Sequence, residues 1–326
     1  LTNALLSAER CLVTKDSVYL AVLSTSHDYP LCQPGILGTL LKGGKCVLAK
    51  TASAEEAFAY IKKENVTFTQ VVPVIAGIWV DAAKDENIND IKLDYVQVGA
   101  AKLEWELAKK IEECFCTRII QGYGLGEGIT CFTSPTDEKE TAWKTMGKPI
   151  SEADEIKIID ESGKEAEPGE AGELWEKGPY TFFGYYKAPE RNKDLFSKDG
   201  YLKTGDKAMI DEEDNVVILG RVKEQINRAG ENIIPEEIES FITKWEYSTK
   251  VSVIGVEDEQ LGEATCAVME EGKEKKSLEE LCEFLSTLKI ARFKYPDHLV
   301  YVDKIPYINV GKVDKKKLKK MVQGKM

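Results

Sequence analysis

Histidine and paired cysteine are scarce in this chain of 326 residues: it has two histidines, and none of its eight cysteines forms a Cys-x-x-Cys pair. Without that spacing a zinc site has no evident ligand set, and free thiols in a reducing cytoplasm are the expectation. No apolar run approaches the ~20 residues of a membrane span, and the amino end lacks the basic-then-apolar pattern of a secretion signal. Positive charge is in deficit. Lys and Arg number 44 against 56 Asp and Glu, a formal charge of −12, which argues against a nucleic-acid-binding surface. The dinucleotide fingerprint Gly-x-Gly-x-x-Gly is absent, as are internal repeats and low-complexity stretches. What remains is 43% hydrophobic and 31% charged, the balance of a soluble globular protein long enough for two domains.

Residues 1–146 alternate short apolar runs with helical patterns. A helix end at 1–12 precedes strand-like 17–24. A helix over 34–44 stops at Gly43-Gly44, followed by strand-like 45–49 and a helix over 54–64 with a glutamate-rich first turn. Strand 67–72 runs into Pro73, a first-turn proline, and 95–98, 104–116 and 118–121 complete the series. This alternation predicts an α/β fold with a doubly wound, mostly parallel sheet, whose ligands gather beyond the carboxyl ends of the strands. From 147 to 219 the period changes to two, as in a small antiparallel β-barrel or sheet. After a connection at 220–223, residues 224–326 read as a compact α+β unit with helices near 235–243 and 277–288 and a lysine-rich helix from Asp314.

The connection is unusual. The strand 216–219 meets Gly220-Arg221, a charged run through Lys223, Gly230 and an acidic helix start at Pro235-Glu236-Glu237. A plain strand-to-helix link needs only a turn and a cap. Fifteen residues earlier, Thr204-Gly205-Asp206 offers a carboxylate after a turn. It could cap its own backbone or accept from the hydroxyls of a ribose, to which the five donors of Arg221 could also reach. Two glycine-containing stretches fall at predicted strand ends: Gly99-Ala100-Ala101-Lys102, and the loop Gln121–Gly128 with Gly122, Tyr123, Gly126 and Glu127. Glycines there let backbone approach a ligand, Tyr123 can stack on a base, and one acid is in place. Ser26-His27-Asp28-Tyr29-Pro30 follows a strand, and adjacent strand-end residues point apart, so His27 and Asp28 do not read as an acid–base pair; no serine-hydrolase nucleophile is evident. Lys312 closes Pro306-x-x-x-x-Gly311-Lys312; by composition alone it is one more lysine of a basic tail.

Taken in order, these motifs resemble the adenylate-forming (ANL) superfamily, closest to its aryl-acid AMP ligases of the 2,3-dihydroxybenzoate–AMP ligase type. The resemblance runs through essentially the whole chain. It implies activation of a small carboxylic acid with Mg·ATP to an acyl-adenylate, then transfer to the phosphopantetheine of an acyl or aryl carrier protein or to coenzyme A. Under it, Lys312 neutralises the carboxylate and the departing pyrophosphate, Glu127 helps hold Mg²⁺, and His27 closes the pocket. Gly99, Ala100, Ala101, Gly122 and Tyr123 lie along adenine, and Asp206 and Arg221 hold the ribose. Lys223 is the pivot of a mobile C-terminal domain and Gly230 lies in the loop that meets the thiol. Ala100 departs from the family's second glycine. Where the aryl-acid ligases have Asn and a small serine, this chain has Asp28 and Gln33, and Thr130 replaces an apolar residue; with Gly126 these form the expected acid pocket. A carboxylate beside a substrate carboxylate is costly unless a cation or donor meets it, so the acid is expected to bear an amino group. The family's phosphate loop and first α/β subdomain have no counterpart, and the chain opens at Leu1. Impaired adenylation, a missing segment or self-association follow as expectations, and a non-catalytic module that binds nucleotide or acyl-adenylate is the alternative.

Overall fold

The computed structural model describes residues 1–84, 91–101, 103–228, 231–258, 260–272, 274–308 and 312–323. The chain divides into two compact units, Leu1–Thr204 with Ala208–Ile218, and Gly205–Lys207 with Leu219–Met326.

In the first unit the order is α1 (Thr2–Arg10), β1 (Val18–Ala21), α2 (Asp28–Cys32), α3 (Gly35–Leu41), β2 (Lys45–Leu48), α4 (Ala54–Glu64), β3 (Phe68–Val71), α5 (Pro73–Ala82), β4 (Leu93–Val98), α6 (Trp105–Phe115) and β5 (Cys116–Gly124). Then come β6 (Thr130–Phe132), α7 (Lys139–Lys144), β7 (Lys148–Pro149), β8 (Glu155–Ile159), β9 (Gly172–Lys177) and α8 (Pro189–Asn192), and last β10 (Leu202–Ile210) and β11 (Val216–Arg221), of which Gly205–Lys207 and Leu219–Arg221 count with the second unit. Seven strands form one sheet in the order β2-β1-β3-β4-β5-β6-β7. The pairs from β2 to β5 are parallel, and β5–β6 and β6–β7 are antiparallel. Side chains alternate between two cores. Leu20, Val96 and Val98 face Ala57, Phe58, Ile61, Trp79, Ile111 and Phe115 of α4, α5 and α6. Tyr19, Phe68, Tyr95 and Ile120 face Ala8 of α1, with Ile36 of α3 packed alongside. The two-residue period of a strand sends neighbours to opposite faces, so each strand here must be apolar on both.

Local chemistry sets the helix ends. Ser53 caps α4 by accepting from the Glu56 amide, and Asn65 ends it in the left-handed conformation. Pro73 opens α5 at a position where its missing N–H costs nothing. The four-stranded sheet β11-β10-β9-β8 supplies the expected antiparallel layer.

In the second unit a 3₁₀ turn at Val222–Glu224 leads into β12 (Ile226–Arg228), β13 (Glu231–Ile233), α9 (Pro235–Ile242), β14 (Val251–Asp258), β15 (Gly262–Glu270), α10 (Leu278–Thr287), β16 (His298–Val302) and α11 (Lys315–Val322). The charged run after Gly220 thus contains a strand pair to which the sequence reading gave no structure, with Ile226 opposite Ile233 and both buried. The long partner strand β15 was not expected either. Its Gly-Glu-Ala-Thr-Cys-Ala run carries little strand propensity, yet eight residues of it pair with β14 and bury Ala264, Cys266 and Val268. A capping box at Ser277 and Glu280 starts α10. No described helix is long and apolar enough to cross a membrane.

Candidate functional site

The carboxyl ends of β1, β4 and β5 carry a connected polar cluster. After β1 the chain turns at Ser24–Ser26, and Asp28 begins α2, so His27 and Asp28 lie at a helix start rather than a strand end. One helical turn brings Gln33 back under Asp28, where Gln33 Nε2 donates to Asp28 Oδ2 at 2.7 Å. Asp28 is exposed, whereas Gln33 is buried. The β5–β6 hairpin approaches from the other side with Gly124 opposite Thr130. A Cβ on Gly124 would stand 2.9 Å from Gln33 Oε1 and 3.3 Å from Thr130 Oγ1, and one on Gly126 would stand 3.9 Å from Asp28 Oδ2. Asp28, Gln33, Gly126 and Thr130, up to 102 positions apart in the sequence, therefore lie close together. The glycine-rich segment is strand as far as Gly124 and turns only over Leu125–Ile129, closed by the Leu125 amide donating to the Ile129 carbonyl. Its expected loop start at Gln121 is overruled by pairing with β6.

Glu127 sits on that turn, half-buried, and accepts from the Tyr185 hydroxyl at 2.7 Å through Oε1, while the Phe182 amide donates to its carbonyl. The Arg191 guanidinium lies 4.1 Å from the centre of the Tyr185 ring. Burial, with the Glu127 hydrogen bond adding to it, raises the Tyr185 pKa. The next residue, Gly128, is packed against the buried carboxyl of Glu176; a Cβ there would stand 1.7 Å from Glu176 Oε1. Burial pushes Glu176 up to about 7, against hydrogen bonds from Thr181 and the Ile129 amide that lower it, while Asp154 nearby raises it further.

At the end of β4, Gly99 lies under the Tyr29 ring, whose Cζ a Cβ would meet at 3.0 Å, and the Tyr29 hydroxyl donates to the Gln97 carbonyl at 3.1 Å. Ala100 takes φ +66°, a conformation in which glycine is easier. Ala101 is exposed and Lys102 lies outside the described residues. Tyr123 packs with the cluster of Ile129, Cys131 and Leu174, and Gly122 has Phe132 against it. His27 is exposed, and among the described residues its side chain meets no hydrogen-bonding partner.

Sequence reasoning missed the layer beneath. Gln70 and Gln97, aligned on β3 and β4, are fully buried. Gln70 Nε2 donates to Gln97 Oε1 at 2.8 Å and to the Gln33 carbonyl at 2.5 Å, and the Tyr19 hydroxyl donates to Gln70 Oε1 at 2.6 Å. Gln97 Nε2 is a buried donor with no partner among the described residues, which in a native fold asks for a water or ligand. Two glutamines inside otherwise apolar strand runs were the available signal. The 490 Å³ cleft lined by Cys11, Asp94 and Arg118 contains the start of β4, at the opposite end of that strand from Gly99, and holds none of the expected site residues.

The remaining expected residues belong to the second unit. Asp206 is buried and receives Arg221 Nε at 3.0 Å, with the arginine half exposed. Lys223 falls in the 3₁₀ turn, and Gly230 lies outside the described residues. Lys312 is exposed beside a bridge between Tyr307 and Val313, its carbonyl accepting from the Ile308 amide at 2.9 Å.

Comparison with known proteins defines the class. The profile of AMP-binding enzymes matches residues 1–186 and that of the AMP-binding enzyme C-terminal domain matches 237–312. The chain belongs to the AMP-binding enzyme family. Among curated relatives, the 2,3-dihydroxybenzoate-AMP ligase of Bacillus subtilis is 37% identical over 98% of the chain and 59% of its own length. The pyochelin synthase PchD of Pseudomonas aeruginosa is 37% identical over 100% of the chain and 60% of its own length. Among solved structures, apo MbtA of Mycobacterium smegmatis superposes with a TM-score of 0.65 at 36% identity, covering 98% of this chain and 60% of that one. The o-succinylbenzoate CoA synthetase of Bacillus subtilis, solved with its acyl-adenylate, gives 0.84 at 26%, covering 98% and 64%. The chain thus spans about 60% of the length of the curated relatives it matches.

Proposed function

We propose that this chain carries the acid- and nucleotide-binding parts of a carboxylic acid–AMP ligase: an acid and Mg·ATP give acyl-AMP and pyrophosphate, and the acyl group passes to a carrier-protein or coenzyme A thiol. The observation that carries this reading is the convergence of Asp28, Gln33, Gly126 and Thr130 beside the turn that bears Glu127. The relatives' descriptions, which include a 2,3-dihydroxybenzoate-AMP ligase, support the reaction class. Asp28 and Gln33 Oε1 are acceptors, so the acid that fits best presents donors, and an amino-bearing aryl or amino acid supplies both donors and a countercharge.

Gly99, Ala100 and Ala101, with Gly122 and Tyr123, are assigned to the adenine, and Asp206 and Arg221 to the ribose. A planar guanidinium fixed at Nε by Asp206 keeps its terminal nitrogens available for a ligand oxygen. The donor set fits Mg²⁺: Glu127 is a hard oxygen ligand with one oxygen engaged by Tyr185. No group of three His, Cys, Asp or Glu residues among the described ones could hold a metal alone, in keeping with an ion ligated largely by phosphate oxygens and water. Bound there, the ion would neutralise phosphate charge. Lys312 is assigned to the charge that develops on carboxylate and leaving pyrophosphate. His27 is assigned to pocket closure, Lys223 to the pivot between the two steps and Gly230 to the thiol loop.

Titration of the chain with an aminobenzoyl-sulfamoyl adenosine, run beside ATP–pyrophosphate exchange, tests the reading. Binding with exchange that requires the acid is expected. Binding without exchange would favour a module that holds adenylate without turnover.

A further inference from the structure

The segment after β9 holds Glu127 at two points. The Phe182 amide donates to the Glu127 carbonyl and the Tyr185 hydroxyl donates to Glu127 Oε1, each at 2.7 Å. Chemistry fixes the direction of the second bond, since an ionised carboxylate only accepts and a phenol has one proton to give. Tyr185 is itself held in place. Its amide donates to Asn192 Oδ1 at 2.8 Å, and its carbonyl accepts from Asn192 Nδ2 at 2.9 Å. The Phe182 ring meets its ring edge-on with centroids 4.9 Å apart, and Arg191 lies over the ring. Gly184 allows this close fit: it takes φ +130°, and a Cβ there would stand 3.0 Å from the Asn192 amide. Glu127 and Tyr185 are both half-buried rather than sealed in the core.

A carboxylate can offer a metal ion one oxygen or two. Two-oxygen ligation needs the carboxyl plane to face the ion squarely, with both oxygens free to share its charge. A hydroxyl fixed on Oε1 holds that plane and draws charge from that oxygen, which leaves Oε2 as the better ligand. Mg²⁺ is small, demands a near-octahedral shell and is served by single oxygens; Ca²⁺ is larger, gathers about six to eight oxygens and readily takes both from one carboxylate. We infer that Tyr185 is a specificity-positioning residue for the metal that accompanies the nucleotide: by holding Glu127 Oε1 it disfavours two-oxygen ligation and so favours Mg²⁺ over Ca²⁺. This rests on the ligase reading, in which Glu127 meets that metal.

The test is titration calorimetry of the whole chain with an ATP analogue whose α–β bridge is a methylene, in saturating Mg²⁺ and again in saturating Ca²⁺. Wild type and Glu127→Gln judge the ligase reading. If the analogue binds with neither metal, or if Glu127→Gln leaves the metal dependence unchanged, that reading and the role of Tyr185 fall together. With metal-dependent binding in hand, Tyr185→Phe judges Tyr185, because it keeps the ring for Phe182 and Arg191 and removes only the hydroxyl. It is expected to narrow the preference for the Mg²⁺ complex, read as the ratio of the two dissociation constants, about threefold to tenfold. In a Glu127→Gln background the same change should leave the ratio where it is. Asn192→Ala, which keeps the hydroxyl but unpins the backbone of Tyr185, should narrow the ratio by less and serves where Tyr185→Phe does not fold. Equal affinity of wild type for the two complexes, equal weakening of both by Tyr185→Phe, an unmoved ratio, or a shift that survives Glu127→Gln overturns the proposal and leaves the ligase reading standing.

Discussion

Ala100 shows what a single residue contributes at the end of β4. The backbone there turns through φ +66° directly after Gly99, whose bare Cα lets the Tyr29 ring close over it. An L-residue in this conformation carries strain that glycine does not, although glycine gives back part of the gain through a freer unfolded chain. Ala100→Gly is therefore expected to stabilise the protein by roughly 0.5–1 kcal/mol, measured as a higher urea midpoint at unchanged slope; a lower midpoint would show that the turn is not strained. The departure from glycine was legible in the sequence, and its conformational meaning was not. The same split runs through the pocket. Asp28, Gln33 and Thr130 stood out because they depart from the residues that the aryl-acid ligases carry at the matching places. Gln97 and Tyr185 did not, because a glutamine in a strand and a tyrosine in an irregular segment declare no partner until the fold supplies one.

Among the elements, the start of α11 is tied to the turn after β11. Lys315 Nζ lies 2.6 Å from Glu224 and 3.2 Å from Glu236, with about a quarter of its side chain exposed. Burial alone would lower its pKa, yet Glu236, Glu239 and Glu224 together hold it above the ordinary lysine value. Gly220 belongs to the same junction, since a Cβ there would stand 2.6 Å from Glu236 Oε2. Removing the cation strands three carboxylates, so Lys315→Met should cost about 1–3 kcal/mol after discounting for solvent screening. Faster amide exchange across residues 222–226 than across β14 is the expected signature, and unchanged exchange there would show that the lysine does not hold the turn. Elements with strong periodicity were readable, α4 to both of its ends and the parallel strands closely. The hairpin β12–β13 and strand β15 were not, because charged and small residues form strands only when neighbours supply the pairing.

For the whole molecule, stability should respond to pH through carboxyls buried without cations. Glu176 rises from the ordinary 4.5 to about 7, chiefly through burial. Below about pH 4.5 the folded and unfolded chains both hold this proton, so burial costs nothing. Between 4.5 and about 7 the unfolded chain releases it while the folded chain keeps it, and stability falls as pH rises; above 7 the cost stays constant. Relative to wild type, Glu176→Gln should gain on the order of 1–2 kcal/mol between pH 4.5 and pH 8, read from denaturation at each pH, and a difference that does not vary with pH would place the titration elsewhere. The architecture as a whole was foreseeable from alternating patterns and motif order. Under the proposed ligase reading the acid is chosen by side-chain geometry around Asp28, and one ratio tests it most directly: the dissociation constants of aminobenzoyl- and salicyl-sulfamoyl adenosine, for the wild-type chain and for Asp28→Asn. The account predicts that wild type favours the amino-bearing ligand about tenfold or more and that Asp28→Asn removes the preference. Equal binding of the two ligands by the wild-type chain would contradict it.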